Sequence, residues 1–404
     1  MDFNGGGVVE PSSSPLVRSL ASSRVTAAIL AAPAPLAPAS TKLLATPRIP
    51  PRRINRVPTK VLDAPALGDD FYASLLDWSS TNVVAVALGR NVYSWNGATS
   101  AVSPLVELPV GASASSVAWS DRAAHVAVAD VTGGVCLLDA ATHSTVRSYA
   151  DHKGRVGALA WAGPLLATGG KDRAIVLRDV RSPRIAESVL KSAHASDVTG
   201  LKWAPDWRSL ASGGADHLVH IWDASLARPR GGSGSVAGLV GDSDASGPRQ
   251  TIRGHRGVVK GLAWSPHTAG LLASGGGIAD RSIRITDILG GRDLVPLPVD
   301  TGSQIGGLVW STTTDELASV HGAPDNCLSL WRARSLGRIA SLTGHTARVI
   351  YLSLSPDGES VVTGAGDESL RFWSVFPSSV RSSRSNDVDD SSVTFAQRQT
   401  FDIR

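Results

Sequence analysis

Histidine, a hydroxyl residue and aspartate recur together along this chain. One such set is His194, Ser212 and Asp216, and a second set lies near the C-terminal end. An imidazole, a hydroxyl and a carboxylate in contact are the groups of nucleophilic catalysis, so an enzyme has to be considered first. An active site, however, occurs once in a chain, whereas a structural hydrogen-bond network recurs with each repeat. The recurrence therefore favours a structural role, and the sequence shows no phosphate loop, metal cluster or unrepeated nucleophile–base pair.

These residues lie in sequence segments that recur at regular intervals along the chain. Short segments of small and β-branched residues end at a tryptophan at Trp78, Trp119, Trp161, Trp203, Trp264 and Trp310. The first four tryptophans are 41 or 42 residues apart, and Leu354 occupies a seventh equivalent position. A second motif such as LASGGADHLVHIWD follows, and a histidine opens four copies, in two of them as a Gly-His pair. A period of about 40–45 residues with these signatures is typical of WD repeats, so we expect an all-β, seven-bladed β-propeller with four strands in each blade.

Resemblance to WD repeats also implies how the recurring polar residues are arranged. Histidine, hydroxyl, aspartate and the closing tryptophan form one buried chain in such repeats. This would satisfy an indole N–H and an imidazole that are costly to bury alone. The residues expected in two such chains are His194, Ser212, Asp216 and Trp222, and His345, Thr363, Asp367 and Trp373. Leu138, Arg178 and Thr286 replace the closing tryptophan in three other copies, which should depend more on neighbouring blades.

Two segments define the organisation of the chain. Residues 228–249 are rich in glycine and serine and are expected to form a flexible loop inserted in the fourth blade. The chain after the last blade motif is polar, so residues 59–65 are expected to supply the missing fourth strand of that blade and close the ring. The predicted divisions are a disordered basic tail at 1–58, the propeller at 59–376 and a C-terminal tail at 377–404.

Charge and composition exclude several function classes. Lys and Arg total 39 against 35 Asp and Glu, but residues 1–60 hold eight basic and two acidic residues. The remainder is close to neutral, so nucleic-acid binding is not expected. Two cysteines exclude a disulfide framework and a cysteine-rich zinc site, and no apolar run is long enough for a membrane span. The start of the chain could also be an organelle transit peptide, although a disordered tail is the favoured interpretation.

Several stretches resemble one family closely. They include KVLDAPALGDDFYASLLDWSS, SPHTAGLLASGGGIADRSIR and SLTGHTARVIYLSLSPDGESVVTGAGDESLRFWSVFP. They resemble the Fizzy/Fizzy-related (cell-cycle switch) family, whose members activate the anaphase-promoting complex, a ubiquitin ligase, and carry its substrates. The resemblance implies a non-catalytic subunit without cofactor or metal. It also implies ligase subunits and degron-bearing proteins such as cyclins as partners, a monomer outside the complex, and a nuclear and cytoplasmic location.

The resemblance further implies which residues bind. Family members hold the arginine of a destruction box (Arg-x-x-Leu) between the first and last blades, and the matching acids are Asp63 and Glu368. A second degron, Lys-Glu-Asn, binds the top face of the propeller. Its matching positions are Asp70, Ala215, His217, Ile278, Asp325 and Arg348. Only Asp70 and Arg348 retain the family's residues there, so we expect destruction-box binding to survive and Lys-Glu-Asn binding to be impaired or altered.

The two ends of the chain bear on activation. The terminal Ile403-Arg404 matches a family tail that docks on a helical-repeat subunit of the ligase. The family's N-terminal C-box, Asp-Arg-Phe-Ile-Pro-x-Arg, is not found in residues 1–45, and the short match at residues 49–52 is interpreted as coincidence. Either the true N-terminus is missing, or the chain is a divergent receptor or decoy that binds substrates without activating the ligase. A general WD-repeat scaffold is the remaining alternative.

Overall fold

The structure is a computed structural model. It describes residues 52–182, 188–190, 193–223, 247–294 and 298–378. Most of the insertion predicted at 228–249, the N-terminal tail up to residue 51 and the C-terminal tail from residue 379, with Ile403 and Arg404, lie outside the described residues. Residues 1–53 form one unit and residues 54–404 a second, which holds all of the described strands.

Seven antiparallel sheets make up the second unit, which confirms the predicted seven-bladed, all-β propeller. Blade 1 contains β2 (Leu76–Trp78), β3 (Val83–Leu88), β4 (Asn91–Asn96) and β5 (Val102–Glu107). Blade 2 contains β6 (Ala114–Trp119), β7 (His125–Asp130), β8 (Val135–Asp139) and β9 (Thr145–Tyr149). Blade 3 contains β10 (Val156–Ala162), β11 (Leu165–Gly170), β12 (Ile175–Asp179) and β13 (Ser188–Leu190). Blade 4 contains β14 (Val198–Trp203), β15 (Ser209–Gly214), β16 (Val219–Asp223) and β17 (Gln250–Ile252).

The remaining three blades follow in chain order. Blade 5 contains β18 (Val259–Trp264), β19 (Leu271–Gly276) and β20 (Ser282–Asp287), with its outer edge divided between β21 (Arg292–Asp293) and β22 (Val299–Asp300). Blade 6 contains β23 (Ile305–Trp310), β24 (Glu316–His321), β25 (Cys327–Arg332) and β26 (Gly337–Thr343). Blade 7 contains β27 (Val349–Leu354), β28 (Ser360–Ala365), β29 (Ser369–Ser374) and β1 (Lys60–Asp63). No helix in the described part of the chain is long and apolar enough to span a membrane.

The two ends of the propeller meet in blade 7. Strand β1 pairs with β29, with Lys60 opposite Phe372 and Asp63 opposite Ser369. The ring is closed as predicted, and the outer edge of β29 is covered by strand pairing. Before β1, Ile54 packs against the apolar core shared by blades 6 and 7, although the sequence assigned it to the tail.

The first strand of each blade lies innermost, between its neighbours, and most residues of these strands are buried. All six residues of β18 are buried, for example. The repeated tryptophan at the end of this strand joins consecutive blades. The indole N–H of Trp161 donates to the backbone oxygen of Ala118 at 3.2 Å, and that of Trp203 donates to Ala160 at 3.3 Å. In these two blades the repeat tryptophan therefore contacts the blade before it, whereas the indole N–H of Trp78 donates to Asn82 Oδ1 within its own blade.

Candidate functional site

The repeated polar residues come together as hydrogen-bonded chains inside single blades. In blade 4, His194 Nδ1 contacts the Asp216 carboxylate at 3.0 Å and its Nε2 contacts Ser212 Oγ at 2.7 Å. Trp222 Nε1 donates to the same Ser212 oxygen at 2.8 Å. These partners assign the imidazole hydrogen to Nδ1 and let the hydroxyl donate to Nε2. Ser212 is completely buried, so its oxygen cannot reach a substrate, and the group is structural rather than catalytic.

Blade 7 repeats this arrangement with threonine in place of serine. His345 Nδ1 contacts Asp367 at 3.0 Å, its Nε2 contacts Thr363 Oγ1 at 2.8 Å, and Trp373 Nε1 donates to that oxygen at 2.9 Å. In both hydrogen-bonded networks burial raises the pKa of the aspartate, but the hydrogen bonds from histidine and the backbone outweigh it. The net effect lowers the pKa of both aspartates, and that of Asp216 is about 2. The two aspartates are therefore held as carboxylates that accept hydrogen bonds.

Blade 3 shows how a repeat compensates for a lost tryptophan. Its hydrogen-bond network is centred on His152 and lacks the closing indole, and Arg178 takes that position. The guanidinium pairs with Asp151 and lies over the Tyr149 ring, 3.8 Å from its centroid. An ion pair and a cation–π contact thus replace the hydrogen bond of the indole.

His194, Asp216 and His220 form the one group of the described residues with the spacing of metal ligands. Both ring nitrogens of His194 already contact protein groups, and His220 Nδ1 contacts Thr251 Oγ1 at 2.9 Å. Burial lowers the pKa of His220 to about 4, so this ring is neutral at physiological pH. The cluster is explained by the structural network, and we assign no metal to it.

The two acids expected at the junction of the first and last blades have adjacent backbones. Ala64 N donates to the backbone oxygen of Glu368 at 2.7 Å, directly after Asp63 pairs with Ser369. Asp63 is half-buried and Glu368 is exposed in a turn with φ of 58°. Within the described part of the chain, neither carboxylate has a hydrogen-bond or ion-pair partner. The arrangement leaves two carboxylates available to an incoming cation.

A short segment crosses the end of the propeller axis between β1 and β2. We call residues 67–73 the strap, and we call the end of the propeller on which it lies the top face. The Tyr351 hydroxyl donates to Gly68 O at 2.6 Å, and Gly157 lies so close that an added Cβ would be 2.4 Å from Tyr72 O. Ser74 N, just after the strap, donates to Ser115 O of blade 2 at 2.9 Å. The strap therefore leads from blade 7 to blade 1, and it lies against blade 3, while the residue after it contacts blade 2.

The strap presents two aspartates, each next to an arginine from a different blade. Arg348 Nε donates to Asp69 Oδ1 at 2.6 Å. Arg155 Nη1 donates to Asp70 Oδ2 at 3.3 Å, and its Nη2 donates to Asp197 at 3.0 Å. Asp70 and Arg348, the two expected positions that retain the family's residues, thus lie on one face but pair with other partners. All these acids remain partly exposed.

The other predicted top-face positions lie on turns between the second and third strands of their blades. Ala215 and His217 follow β15, Ile278 follows β19, and Asp325 follows β24. Ile278 is 75% exposed and Asp325 accepts a hydrogen bond from Ser303 Oγ at 3.0 Å. Antiparallel connection places these turns at the same end of the propeller as the strap. The face therefore offers few unpaired amide or hydroxyl groups at the positions named.

Lys260 was not singled out from the sequence, although it lies beneath the strap. Its Nζ donates to Ala73 O at 2.7 Å and to Ile350 O at 3.2 Å. The sequence nevertheless held an indication, because the residue four positions before the repeat tryptophan is Ser74, Ser115, Gly157, Thr199 and Gly306 in five other blades, and the equivalent residue of blade 7 is Ile350. A lysine at a position that otherwise holds small or apolar residues indicates a specific partner.

Comparison with known proteins places this fold in a family. A family model of the CDC20/Fizzy WD40 domain matches residues 62–373. The chain belongs to the CDC20/Fizzy family. This CDC20/Fizzy chain is 41% identical to the anaphase-promoting complex subunit cdh1 of Dictyostelium discoideum over 90% of its own length and 49% of that protein. It is 47% identical to the B-type cell cycle switch protein ccs52A of Medicago truncatula, over 81% of its own length and 64% of that protein.

A solved structure agrees with these relatives. A chain of the crystal structure of the mitotic checkpoint complex is 38% identical, with a TM-score of 0.73, and the match covers 86% of the CDC20/Fizzy chain and 98% of that chain. The present chain spans about half of the Dictyostelium relative and under two thirds of the Medicago relative. The resemblance stated from the sequence is thereby confirmed at the level of family and fold.

Proposed function

We propose that this CDC20/Fizzy chain is a substrate-recognition and activator subunit of the anaphase-promoting complex ubiquitin ligase. The observation that carries the proposal is its 41% identity, over 90% of its length, to a protein named as a subunit of that complex. The role is non-catalytic, because the recurring His–Ser–Asp groups are sealed inside the blades. Other enzymes would transfer ubiquitin while this chain holds the substrate, in the nucleus and the cytoplasm.

Destruction-box binding is assigned to Asp63 and Glu368. Their backbones are joined by adjacent strand pairing, and both side chains are accessible at the closure of the ring. A guanidinium carries several donors in a planar fork, which suits two neighbouring carboxylates. Each charge-assisted hydrogen bond would contribute about 1.5–3 kcal/mol, which is enough to make arginine the defining residue of the bound peptide.

Lys-Glu-Asn recognition is proposed to be impaired. The lysine of such a peptide would compete with Arg155 for Asp70, while Arg348 is already paired with Asp69. Ala215 and Ile278 supply no polar side-chain atoms. Titration of the isolated propeller with a Lys-Glu-Asn peptide should give weak binding. Affinity as strong as for a destruction-box peptide, lost in Asp70→Asn and Arg348→Met variants, would contradict this assignment.

Activation is tested through the C-terminal Ile403-Arg404, proposed to dock on the ligase. Deleting these two residues should reduce co-precipitation with core ligase subunits and abolish stimulated ubiquitination, with the intact chain as the control. Co-precipitation without stimulated ubiquitination by the intact chain would favour a decoy that holds substrates. Unchanged partners after the deletion would favour a general WD-repeat scaffold.

A further inference from the structure

We propose that Lys260 is the positioning residue of the top face: its buried ammonium group holds the strap, and with it Asp69 and Asp70, across the end of the propeller axis. The inference goes beyond the proposed function, because it concerns how the face is built and not which peptide binds there.

Lys260 connects three parts of the molecule that are distant in sequence. It projects from β18 of blade 5, and its Nζ donates to Ala73 O at the end of the strap and to Ile350 O in blade 7. The Phe71 and Tyr351 rings lie 5.5 and 5.1 Å from the same Nζ. Two carbonyl oxygens and two aromatic faces are the groups that stabilise a cation removed from water. The ammonium thus links the strap to both blades.

The surroundings of Lys260 are shaped for this contact. A cavity of about 140 Å³ lies on the propeller axis, lined by Lys260, Tyr351 and residues from the innermost strands of six blades. At the position equivalent to Lys260, blades 3 and 6 have Gly157 and Gly306, which carry no side chain. Gly157 leaves room for the Tyr72 carbonyl of the strap, whereas Gly306 leaves room for the backbone of blade 7 at Ile350. The glycine in blade 3 thus admits the strap, and the single lysine in blade 5 fixes it. Strand pairing within blade 5 does not require a lysine here.

Charged groups on the strap and in blade 7 affect the protonation of the Lys260 ammonium group. Asp70 of the strap favours its charged form, Arg348 opposes it, and the Tyr351 phenol packs against it. Burial is the largest influence and lowers the pKa of Lys260 to about 7. Tyr351 itself stays neutral, since burial raises its pKa above the usual range. As pH rises through neutrality, Lys260 therefore loses the charge that strengthens its hydrogen bonds to the carbonyl oxygens.

Hydrogen exchange of the strap amides tests this role directly. Lys260→Met keeps the length of the side chain but removes the ammonium, and Lys202→Met makes the same change at an exposed residue of the neighbouring innermost strand. We expect amides of residues 67–74 to exchange about tenfold faster in Lys260→Met and unchanged in Lys202→Met, with β18–β20 still protected. Unchanged strap exchange, or an equal loss of protection in every blade, would overturn the proposal.

The pH profile separates positioning from simple support of the fold. In the unmodified chain, strap protection corrected for intrinsic exchange should fall between about pH 6 and 8.5. The Lys260→Met variant should lack this dependence. Strap protection that is constant with pH in the unmodified chain would overturn the proposal even if the variant does not fold. Neither readout uses a peptide, so failure of the proposed degron binding would leave these results interpretable.

Discussion

Trp264 donates its indole N–H to the backbone oxygen of Lys202 at 3.0 Å, although the two residues are 62 positions apart. The contact spans the longest interval between repeats, and it has the same form as the contacts made by Trp161 and Trp203. It shows that the tryptophan register is preserved across the inserted segment. Blades 3, 4 and 5 are consequently each tied to the preceding blade by a tryptophan at the same point.

Replacing this tryptophan should weaken the junction between blades 4 and 5. Trp264→Phe removes the donor, leaves a carbonyl without its partner and reduces the packed volume, which should lower the free energy of unfolding by about 1–3 kcal/mol. Trp207→Phe is the matched control, because Trp207 is 52% exposed, and its effect should stay within about 0.5 kcal/mol. Urea denaturation measures both. Equal effects of the two substitutions would argue against a role for the indole contact.

The hydroxyl at the centre of the blade 4 network should be essential for stability. Ser212→Ala leaves His194 Nε2 and Trp222 Nε1 buried without a partner, so we expect a loss of more than about 2 kcal/mol. Ser113→Ala changes a half-buried serine and should be close to neutral. Thermal denaturation followed by circular dichroism distinguishes the two. A Ser212→Ala protein as stable as the control would show that the network contributes little.

Acid should destabilise the propeller through the same network. The pKa of Asp216 falls from an ordinary 3.8 to about 2 on folding, so the unfolded chain binds the proton more tightly between these values. The stabilisation from this carboxylate is therefore complete above about pH 4 and lost as pH falls through about 2. In Asp216→Asn the pH dependence over this interval should be shallower. Denaturant titrations at stepped pH measure the difference, and parallel profiles would contradict the assignment.

The position of the strap should depend on the size of residue 157 in blade 3. A methyl group at Gly157 would lie 2.4 Å from the Tyr72 carbonyl oxygen, so Gly157→Ala must displace the strap. We expect faster hydrogen exchange at residues 67–74, with little change in blades 4 to 6. Gly337→Ala is a suitable control, since the Cβ added there would lie 3.3 Å from Ser335 Oγ, which can rotate away. Normal strap protection in Gly157→Ala would mean that the close approach is easily relieved.

Much of this architecture could be predicted from local patterns. Trp222 and Asp216 recur with a histidine and a hydroxyl in their own repeat, so their network follows from one blade. The pairing of β1 with β29 followed from the polar chain beyond the last blade. The contacts of Lys260, Arg348 and Arg155 could not be predicted, because they join the strap to residues tens to hundreds of positions away. Such contacts depend on how the closed ring brings distant blades together, and they cannot be inferred from the sequence of a single repeat.

The residues of the proposed destruction-box site could likewise be predicted only in part. Family resemblance indicated Asp63 and Glu368, while their adjacency follows only from the register of β1 against β29. The sequence likewise indicated that Arg178 replaces a tryptophan, and the pairing with Asp151 that compensates for it requires the folded blade.

Titration of the propeller with a fluorescent Arg-x-x-Leu peptide tests the central claim most directly. Asp63→Asn combined with Glu368→Gln keeps the size of both side chains and removes their charge, and Glu359→Gln makes a matched change elsewhere in blade 7. The account predicts that the double variant binds the peptide at least about tenfold more weakly, whereas the control binds normally. A peptide with lysine replacing arginine should also bind the unmodified propeller more weakly. Unchanged affinity in the folded double variant would contradict the assignment of these carboxylates as the degron site.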